Sequence, residues 1–285
     1  MTAQPLHITF TICTRNRLDL LEKCLTSLID QPVPDGVRLD FVVCENDTEP
    51  KSKPLCDSLG SRVIYVQEPE PGLSPARNTS VERALETGCD WIGFFDDDEE
   101  AEPGWADAMV VEIRRDRADV ITGPAFPYSD PPIPQWVLSE EREPKPTGTT
   151  ISSAGTNDTV CRRSLFAVDG LGLRFDHALR FRGGSDSELF LRARSAGMGF
   201  VWCEEMAAVE WWPAERAAVK GQLRRAQRLA ENKYDRLVRQ VGESKSRRKT
   251  VRNFASRIAS SATVLGTITF PFDRHLGRRR LLSGA

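Results

Sequence analysis

The sequence DWIGFFDDDEE, Asp90 to Glu100, joins an apolar segment directly to a run of acidic residues. The apolar part predicts a buried strand, because aromatic and β-branched residues suit a packed sheet. An acidic run alone is typical of a solvated loop. Acids that crowd together in a partly dry site instead take up protons or recruit a cation. The segments on either side of this stretch decide between the two interpretations.

Strands and helices alternate along most of the chain. Predicted strands cover His7 to Thr14, Leu39 to Asn46, Arg62 to Glu68, Asp90 to Phe95, Ala118 to Phe126 and Gly199 to Glu205. Predicted helices cover Leu18 to Gln31, a short segment around Leu55, Ser74 to Gly88, Pro103 to Asp116, Ser185 to Gly197 and Ala214 to Arg239. Alternation is typical of parallel βαβ units, and uniformly apolar strands indicate a sheet covered on both faces. We therefore predict an α/β fold, Rossmann-like, with a mostly parallel central sheet. The segment from Pro127 to Thr150 is rich in proline and charge and predicts a long loop.

Composition narrows the class of protein. The 285 residues carry a formal net charge of −2, which gives no indication of nucleic-acid binding. The seven cysteines include no C-x-x-C pair, which argues against a zinc site. The N-terminus lacks the basic and long apolar segments of a signal peptide, so we expect a cytoplasmic protein.

Four polar segments each follow a predicted strand. They are Thr14 to Arg17, Glu45 to Thr48, Gly72 to Asn78 and Asp96 to Asp98. Ligands of open α/β sheets bind beyond the carboxyl ends of the strands, so we expect these segments to meet at one edge. In an extended turn, Asp96 and Asp98 point to the same side and can hold one Mg²⁺ or Mn²⁺, with phosphate oxygens as further ligands. Arg77, near a helix start, suits a diphosphate.

The segments TICTRNR, VVCENDT, GLSPARNTS, FFDDDEE and GGSDSELFLR stand in the order and spacing of a known family. Between Ile8 and about Arg225 the chain resembles a family 2 glycosyltransferase with the GT-A fold, an inverting enzyme that uses nucleotide-sugars. The resemblance implies a divalent cation, Mn²⁺ or Mg²⁺, and an NDP-sugar donor, with a UDP-sugar as our expectation. It implies that the donor meets Thr14, Arg15, Arg17, Glu45, Arg77, Asn78, Asp96 and Asp97. It further implies that Asp98 binds the metal, with Asp96 as the neighbouring carboxylate, and that Asp186 is the general base.

The chemistry of inverting transfer is consistent with these roles. A base must take the proton of the acceptor hydroxyl, and positive charge must stabilise the departing diphosphate. Asp186 follows Gly183 and Gly184 at the start of a predicted helix, where an N-cap carboxylate is the alternative. Ser185 stands where family members commonly have Glu, which leaves the pKa of the base open. Glu210 stands where many relatives place His, and is a third metal ligand, an acceptor contact or a surface acid.

The acceptor, a glycan or a lipid-linked saccharide, is expected to meet the second half of the chain. Trp136, Trp211 and Trp212 offer aromatic faces for sugar rings, with core packing as the alternative. Glu188 either assists Asp186 or faces solvent.

The expected domain organisation is a GT-A catalytic domain over residues 1–240. Its nucleotide-sugar-binding half covers 1–125, and its acceptor-binding half, with the base, covers 126–240. Residues 241–285 form a basic and apolar C-terminal extension. This extension predicts either a peripheral contact with an anionic membrane at its cytoplasmic face or a helix packed on the protein or on a second subunit.

Two rival functions remain to be weighed. A sugar nucleotidyltransferase usually carries a glycine- and basic-rich loop after its first strand, and the CTRNR segment here contains no glycine. A degenerate transferase that binds nucleotide or glycan without turnover is compatible with Ser185, although the acids Asp96, Asp98 and Asp186 are intact. A structural Ca²⁺ site of the EF-hand type is excluded by the missing glycine turn and loop spacing.

Overall fold

The computed structural model describes residues 5–134, 137, 144–181, 183–245, 247 and 248. It contains one compact unit that ends at Ala226 and a second that begins at Gln227. The sheets and the candidate site described below lie in the first unit. Among the described residues, no helix combines the length and the apolar character required to cross a bilayer.

Two sheets organise the first unit. The strands are β1 Leu6–Thr14, β2 Val37–Glu45, β3 Val63–Gln67, β4 Trp91–Asp96, β5 Glu99–Ala101, β6 Val120–Thr122, β7 Ala125–Tyr128, β8 Thr159–Arg162, β9 Phe200–Trp202 and β10 Ala208–Trp211. The larger sheet has the order β3-β2-β1-β4-β8-β6-β9, and the smaller one β5-β10-β7. Strands β3, β2, β1 and β4 are parallel, while β8 is antiparallel to both of its neighbours. The predicted α/β fold with a mostly parallel sheet is therefore confirmed.

Helices cover the larger sheet on both faces. They are α1 Leu18–Ile29, α2 Lys53–Ser58, α3 Leu73–Glu86, α4 Trp105–Arg115, α5 Ser185–Ser195, α6 Ala214–Ala217 and α7 Val219–Val241. Successive residues of β2 point to opposite faces. Phe41 belongs to the apolar cluster that contains residues of α1 and α4, and Val42 to the cluster that contains residues of α3 and α5. The uniformly apolar strands reflect these two cores.

The prediction of one strand from Ala118 to Phe126 is wrong. The chain leaves the large sheet after β6 and enters the small sheet as β7. Gly123 lies between them so close to the chain at Met206 that a Cβ there would lie 1.6 Å from the Met206 carbonyl oxygen. Only a residue without a side chain permits this crossing.

Two further element boundaries differ from the sequence-based expectations. The helix predicted from Ala214 to Arg239 is interrupted at Ala218, whose extended ψ of 155° separates α6 from α7. Strand β7 extends into the predicted loop as far as Tyr128. The short strands β5 and β10 were not predicted, because three or four residues carry little periodicity.

Candidate functional site

The polar segments predicted to converge do meet at the carboxyl edge of the parallel strands. Thr14 pairs in register with Glu45, and Cys13 pairs with Asp96 on the other side of β1. Asn46 holds the segment that begins at Gly72 at this edge, because the Asn46 side-chain oxygen accepts from the Gly72 backbone N–H at 2.8 Å. The edge therefore brings together residues that are up to 83 positions apart in the chain.

The acidic turn begins at the end of β4 and is held by β1 and the residues after it. Asp97 accepts hydrogen bonds from Thr14 Oγ1 and from Arg17 Nη1, each at 2.8 Å. The same Arg17 nitrogen donates to Asp98 at 3.1 Å. One guanidinium thus serves two adjacent carboxylates, which leaves the third acid of the turn to another cation.

Asp96 faces Arg77 rather than Arg17. Arg77 Nη2 lies 3.8 Å from Asp96 Oδ1, and the Asp96 side chain remains 45% exposed. Partial burial raises the pKa of Asp96 above its usual value, the Arg77 charge opposes the rise, and the charges of Asp98 and Asp97 add to it. Burial also raises the pKa of Asp98, against the opposing charge of Arg17. Three carboxylates therefore share two guanidinium groups, and a further positive charge would favour the ionised forms of Asp96 and Asp98.

A fourth acid, Glu99, is buried and binds the backbone of the turn. Glu99 is almost fully buried, and its Oε2 accepts from the Asp96 backbone N–H at 3.0 Å. Burial and the charge of Asp96 raise the pKa of Glu99 well above its usual value. In the described part of the chain, its other carboxyl oxygen is buried without a hydrogen-bond partner. Glu99 fixes the backbone from which Asp96 projects.

The turn suits a hard divalent cation. Asp96 and Asp98 offer carboxylate oxygens, the ligand type that Mg²⁺ and Mn²⁺ prefer, and a cation would favour their ionised forms. Within the ranges that the structure describes, no group of three or more His, Cys, Asp and Glu side chains is placed to hold a metal ion. A cation here would take most of its ligands from water or from a bound phosphate.

Arg77 connects the acidic turn to the start of α5. The side chain is buried, with 7% of the residue exposed, and its Nη1 donates to Ser185 Oγ at 3.2 Å. Asp186 is the next residue, in the first turn of α5, two positions after the N-cap Gly184. Because α5 begins at Ser185 and Gly184 is its N-cap residue, Asp186 is inside the helix rather than at the N-cap position.

The Asp186 carboxylate lies between the start of α5 and Gly155. One carboxylate oxygen, Oδ1, accepts from the Ser187 backbone N–H at 2.7 Å. The other, Oδ2, lies 3.6 Å from the point that a Cβ on Gly155 would occupy. One carboxylate oxygen of Asp186 is thus fixed by the helix, and the other lies near Gly155.

Some residues predicted to meet a nucleotide bond within the protein. Glu45 is buried, and its Oε2 accepts from the Ser52 backbone N–H at 3.0 Å and from the Tyr65 hydroxyl at 2.9 Å. Asn78 binds the backbone of Phe175 through both its oxygen and its nitrogen, at 2.8 and 3.0 Å. Arg15 lies at the rim, 3.8 Å from Asp47. The structure groups Thr14, Arg17, Arg77 and the aspartates, and places Glu45, Asn78 and Arg15 around them.

Trp211 is the last residue of β10 and Trp212 directly follows it. Trp211 donates its backbone N–H to the Asp98 carbonyl at 2.7 Å, and its ring meets that of Tyr128 edge-on at 4.7 Å. The Trp212 ring lies under the guanidinium groups of Arg216 and Arg225, at 4.3 and 5.3 Å. In the described residues, both indole N–H groups are buried and without a hydrogen-bond partner.

The other acceptor candidates have separate environments. Glu210 forms an ion pair with Arg216 at 2.6 Å, and its charge raises the pKa of both Asp96 and Asp98. Glu188 binds Arg192 one turn further along α5, at 2.7 Å. A cavity of about 230 Å³ adjoins Tyr128 and is lined by Pro127, Tyr128, Ser129, Asp130, Pro132 and Ile133. Trp136 and most of the C-terminal extension lie outside the described residues.

Sequence reasoning missed several residues of this site. Asn46 and Glu99 lie inside quoted motifs, and only the structure reveals that they hold the loop at Gly72 and the backbone of Asp96. Arg216 gave no sequence signal, because it is one of many basic residues in the last third of the chain. The contact between Arg77 and Ser185 joins segments 108 residues apart.

Comparisons with known proteins point to one family. The family model described as Glycosyl transferase family 2 matches residues 9–169. The succinoglycan biosynthesis protein ExoM of Rhizobium meliloti (strain 1021) is 30% identical over 226 residues, which cover 77% of this chain and 71% of ExoM. The glycosyltransferase GlyA of Streptococcus pneumoniae serotype 4 is 25% identical over 126 residues, or 43% of this chain and 17% of GlyA.

Solved structures share the fold at low sequence identity. The structure of S. aureus TarS 1-349 in complex with UDP has a TM-score of 0.59 and 14% identity, over 73% of this chain and 61% of that chain. The corresponding complex with UDP-GlcNAc has a TM-score of 0.58 and 13% identity, over 72% and 58% of the two chains. This chain thus spans less than two thirds of the TarS chains it matches. The likeness confirms the expected GT-A fold.

Proposed function

Because this chain belongs to glycosyl transferase family 2, and is therefore a transferase, we propose that it is an inverting, cation-dependent glycosyltransferase. It moves a sugar from a UDP-sugar to a hydroxyl group of a glycan or lipid-linked saccharide. The observation that carries the proposal is Arg77, whose guanidinium links the acidic turn, through Asp96, to the helix that carries Asp186. This link supports a diphosphate site next to a candidate base.

The choice of donor and acceptor class rests on the relatives. TarS, which shares the fold, has been solved with UDP and with UDP-GlcNAc, which supports a uridine nucleotide. ExoM is named for succinoglycan biosynthesis, which supports an acceptor that is a growing polysaccharide. Thr14, Arg15, Arg17, Glu45, Arg77, Asn78, Asp96 and Asp97 remain the proposed donor-binding residues.

Asp98 and Asp96 would hold the cation, Mn²⁺ or Mg²⁺. When bound, the cation would supply positive charge to the diphosphate as it leaves with the nucleoside. Arg17 and Arg77 supply further positive charge at the same edge of the sheet. Because both arginines are held by aspartates, they are oriented before the donor arrives.

Asp186 takes the proton of the acceptor hydroxyl. The acceptor oxygen then forms a bond to the anomeric carbon, and the bond from that carbon to the diphosphate oxygen breaks. The electron pair of the broken bond stays on the departing UDP. Attack from the face opposite the diphosphate inverts the anomeric configuration. Glu188, Glu210, Trp136, Trp211 and Trp212 remain the proposed acceptor contacts.

We propose separate regions of the chain for donor binding and acceptor binding. Residues 1–125 bind the donor, residues 126–240 bind the acceptor and supply the base, and residues 241–285 form the extension. We further propose a cytoplasmic protein whose basic extension contacts the membrane surface, where a lipid-linked acceptor would lie.

Replacement of the base tests the proposal. Asp186→Asn should lower release of UDP from UDP-sugars, in the presence of Mn²⁺ and acceptor, by about 100-fold or more, because general base catalysis is lost. Binding of UDP should persist, because the proposed base acts on the acceptor hydroxyl and not on the nucleotide. The matched control is Asp107→Asn, an exposed aspartate in the first turn of α4, which should leave turnover unchanged.

A degenerate, non-catalytic binding protein is the second candidate, and the presence of Ser185 in place of the family's usual Glu favours it. This alternative predicts nucleotide binding without turnover for any donor sugar. Full activity of Asp186→Asn would instead contradict the role of the base while leaving the transferase intact.

A further inference from the structure

Arg216 is a cation of the site that neither the motifs nor the proposed mechanism uses. It belongs to α6, next to β10. Strand β10 runs directly beside the acidic turn, since Glu210 pairs in register with Glu99 and the Trp211 N–H donates to the Asp98 carbonyl at 2.7 Å. A side chain that is fixed to β10 is therefore fixed relative to the acidic turn.

Two contacts fix the Arg216 guanidinium to β10 and the residue after it. Its Nη1 lies 2.6 Å from Glu210 Oε1, and its Cζ lies 4.3 Å from the centre of the Trp212 ring. A carboxylate partner and an aromatic face together hold a guanidinium in one orientation. The side chain stays 26% exposed, so the group is held without being sealed off from a ligand.

The register of β10 places Arg216 beside the acidic turn. Glu210, which pairs with Arg216, lies opposite Glu99, the residue that directly follows Asp98. Arg17 and Arg77, the other cations of the turn, each bind an aspartate or Ser185. Arg216 pairs with Glu210, which is not one of the three aspartates of the turn. Because a guanidinium has more N–H donors than this contact uses, donors remain for a ligand.

We propose that Arg216 binds the diphosphate of the donor and stabilises the negative charge of the departing nucleoside diphosphate. This inference rests on the proposed function. During transfer the bond between the anomeric carbon and the diphosphate oxygen breaks, and its electron pair stays on that oxygen. Charge-assisted hydrogen bonds from a fixed guanidinium strengthen as that charge develops. Glu210 is then the residue that orients Arg216.

The affinity ratio for UDP and UMP tests this assignment. In the presence of Mn²⁺, we expect Arg216→Gln to weaken UDP binding by about 10-fold to 100-fold, the loss of a hydrogen bond to a charged group. Binding of UMP, which lacks the second phosphate, should be unchanged, and this result also shows that the variant is folded. Arg216→Lys should recover part of the loss, and the control Arg224→Gln, on the exposed face of α7, should bind both nucleotides as wild type does.

Each other outcome overturns the assignment. Equal losses for UDP and UMP would mean that Arg216 maintains the structure of the site, and unchanged UDP binding would mean that it does not meet the diphosphate. If the wild-type protein binds neither nucleotide with Mn²⁺, the proposed function itself is wrong and this inference falls with it.

Discussion

At the scale of single residues, the protein buries acids that the chemistry does not use directly. Asp158 is fully buried at the start of β8 and accepts a hydrogen bond from Trp105 Nε1 at 2.6 Å. Burial raises the pKa of Asp158 well above its usual value, against the opposing effect of this hydrogen bond. Within the described residues, its second oxygen is buried without a partner. A protonated carboxyl is the form that this environment favours.

Asp158 should make stability fall as pH rises. Above its ordinary pKa of about 4 the unfolded chain loses the proton that the folded chain keeps, so the free energy of unfolding decreases by up to about 1.4 kcal/mol per pH unit. Asp158→Asn keeps the acceptor for Trp105 and removes the titration. Asn also tolerates the left-handed backbone at this position, where φ is 41°. Urea unfolding at pH 5 and pH 8 should therefore show a smaller loss for the variant than for wild type.

The surface variant Asp169→Asn is the control for this measurement, and it should retain the wild-type pH dependence. The same loss of stability between pH 5 and pH 8 in Asp158→Asn and in wild type would show that Asp158 is ionised in the folded protein.

At the scale of elements, one amide joins two distant parts of the site. Asn78, on α3, binds the Phe175 backbone with both its donor and its acceptor. The Phe175 ring in turn lies 5.5 Å from the Arg77 guanidinium. Asn78, which is also a proposed donor-binding residue, thus joins α3 to the segment that precedes α5.

Removal of this link should cost stability. We expect Asn78→Ala to lower the free energy of unfolding by about 1–3 kcal/mol, because two partly buried backbone groups lose their partners. Asn78→Asp keeps the acceptor for the Phe175 N–H and loses the donor, so its loss should be intermediate. Chemical denaturation of the three proteins measures this order. Equal stability of Asn78→Ala and wild type would rule out the link.

Sequence reasoning predicted the secondary-structure elements better than it predicted the contacts between them. The long parallel strands and helices α1 and α4 were predicted because their apolar patterns are regular. The division between β6 and β7 was not predicted, because Gly123 and Pro124 lie within an otherwise apolar segment. The chain changes sheets there because Met206 approaches Gly123, and this contact is not visible in the sequence. The same holds for Asn78, whose partner is 97 residues away.

At the scale of the whole molecule, a nearly neutral chain concentrates acids at one edge of its sheet. The net charge of −2 conceals a turn where Asp96, Asp97, Asp98 and Glu99 stand in succession, opposite Glu210. The order of the motifs along the chain indicated the family, and the strand order explains why these motifs meet. The contribution of Arg216 could not be predicted, because the packing of α6 beside β10 leaves no periodic signal in the sequence.

The central claim is that the acidic turn binds a divalent cation that holds a uridine diphosphate. Calorimetric titration of UDP into the 285-residue protein, with Mn²⁺ or with EDTA, tests it most directly. Wild type should bind UDP at least about tenfold more tightly with Mn²⁺, a difference of about 1.4 kcal/mol. Asp98→Asn should bind UDP weakly and equally in both conditions. Equal affinity of wild type with Mn²⁺ and with EDTA, or an undiminished effect of Mn²⁺ in Asp98→Asn, would contradict the claim.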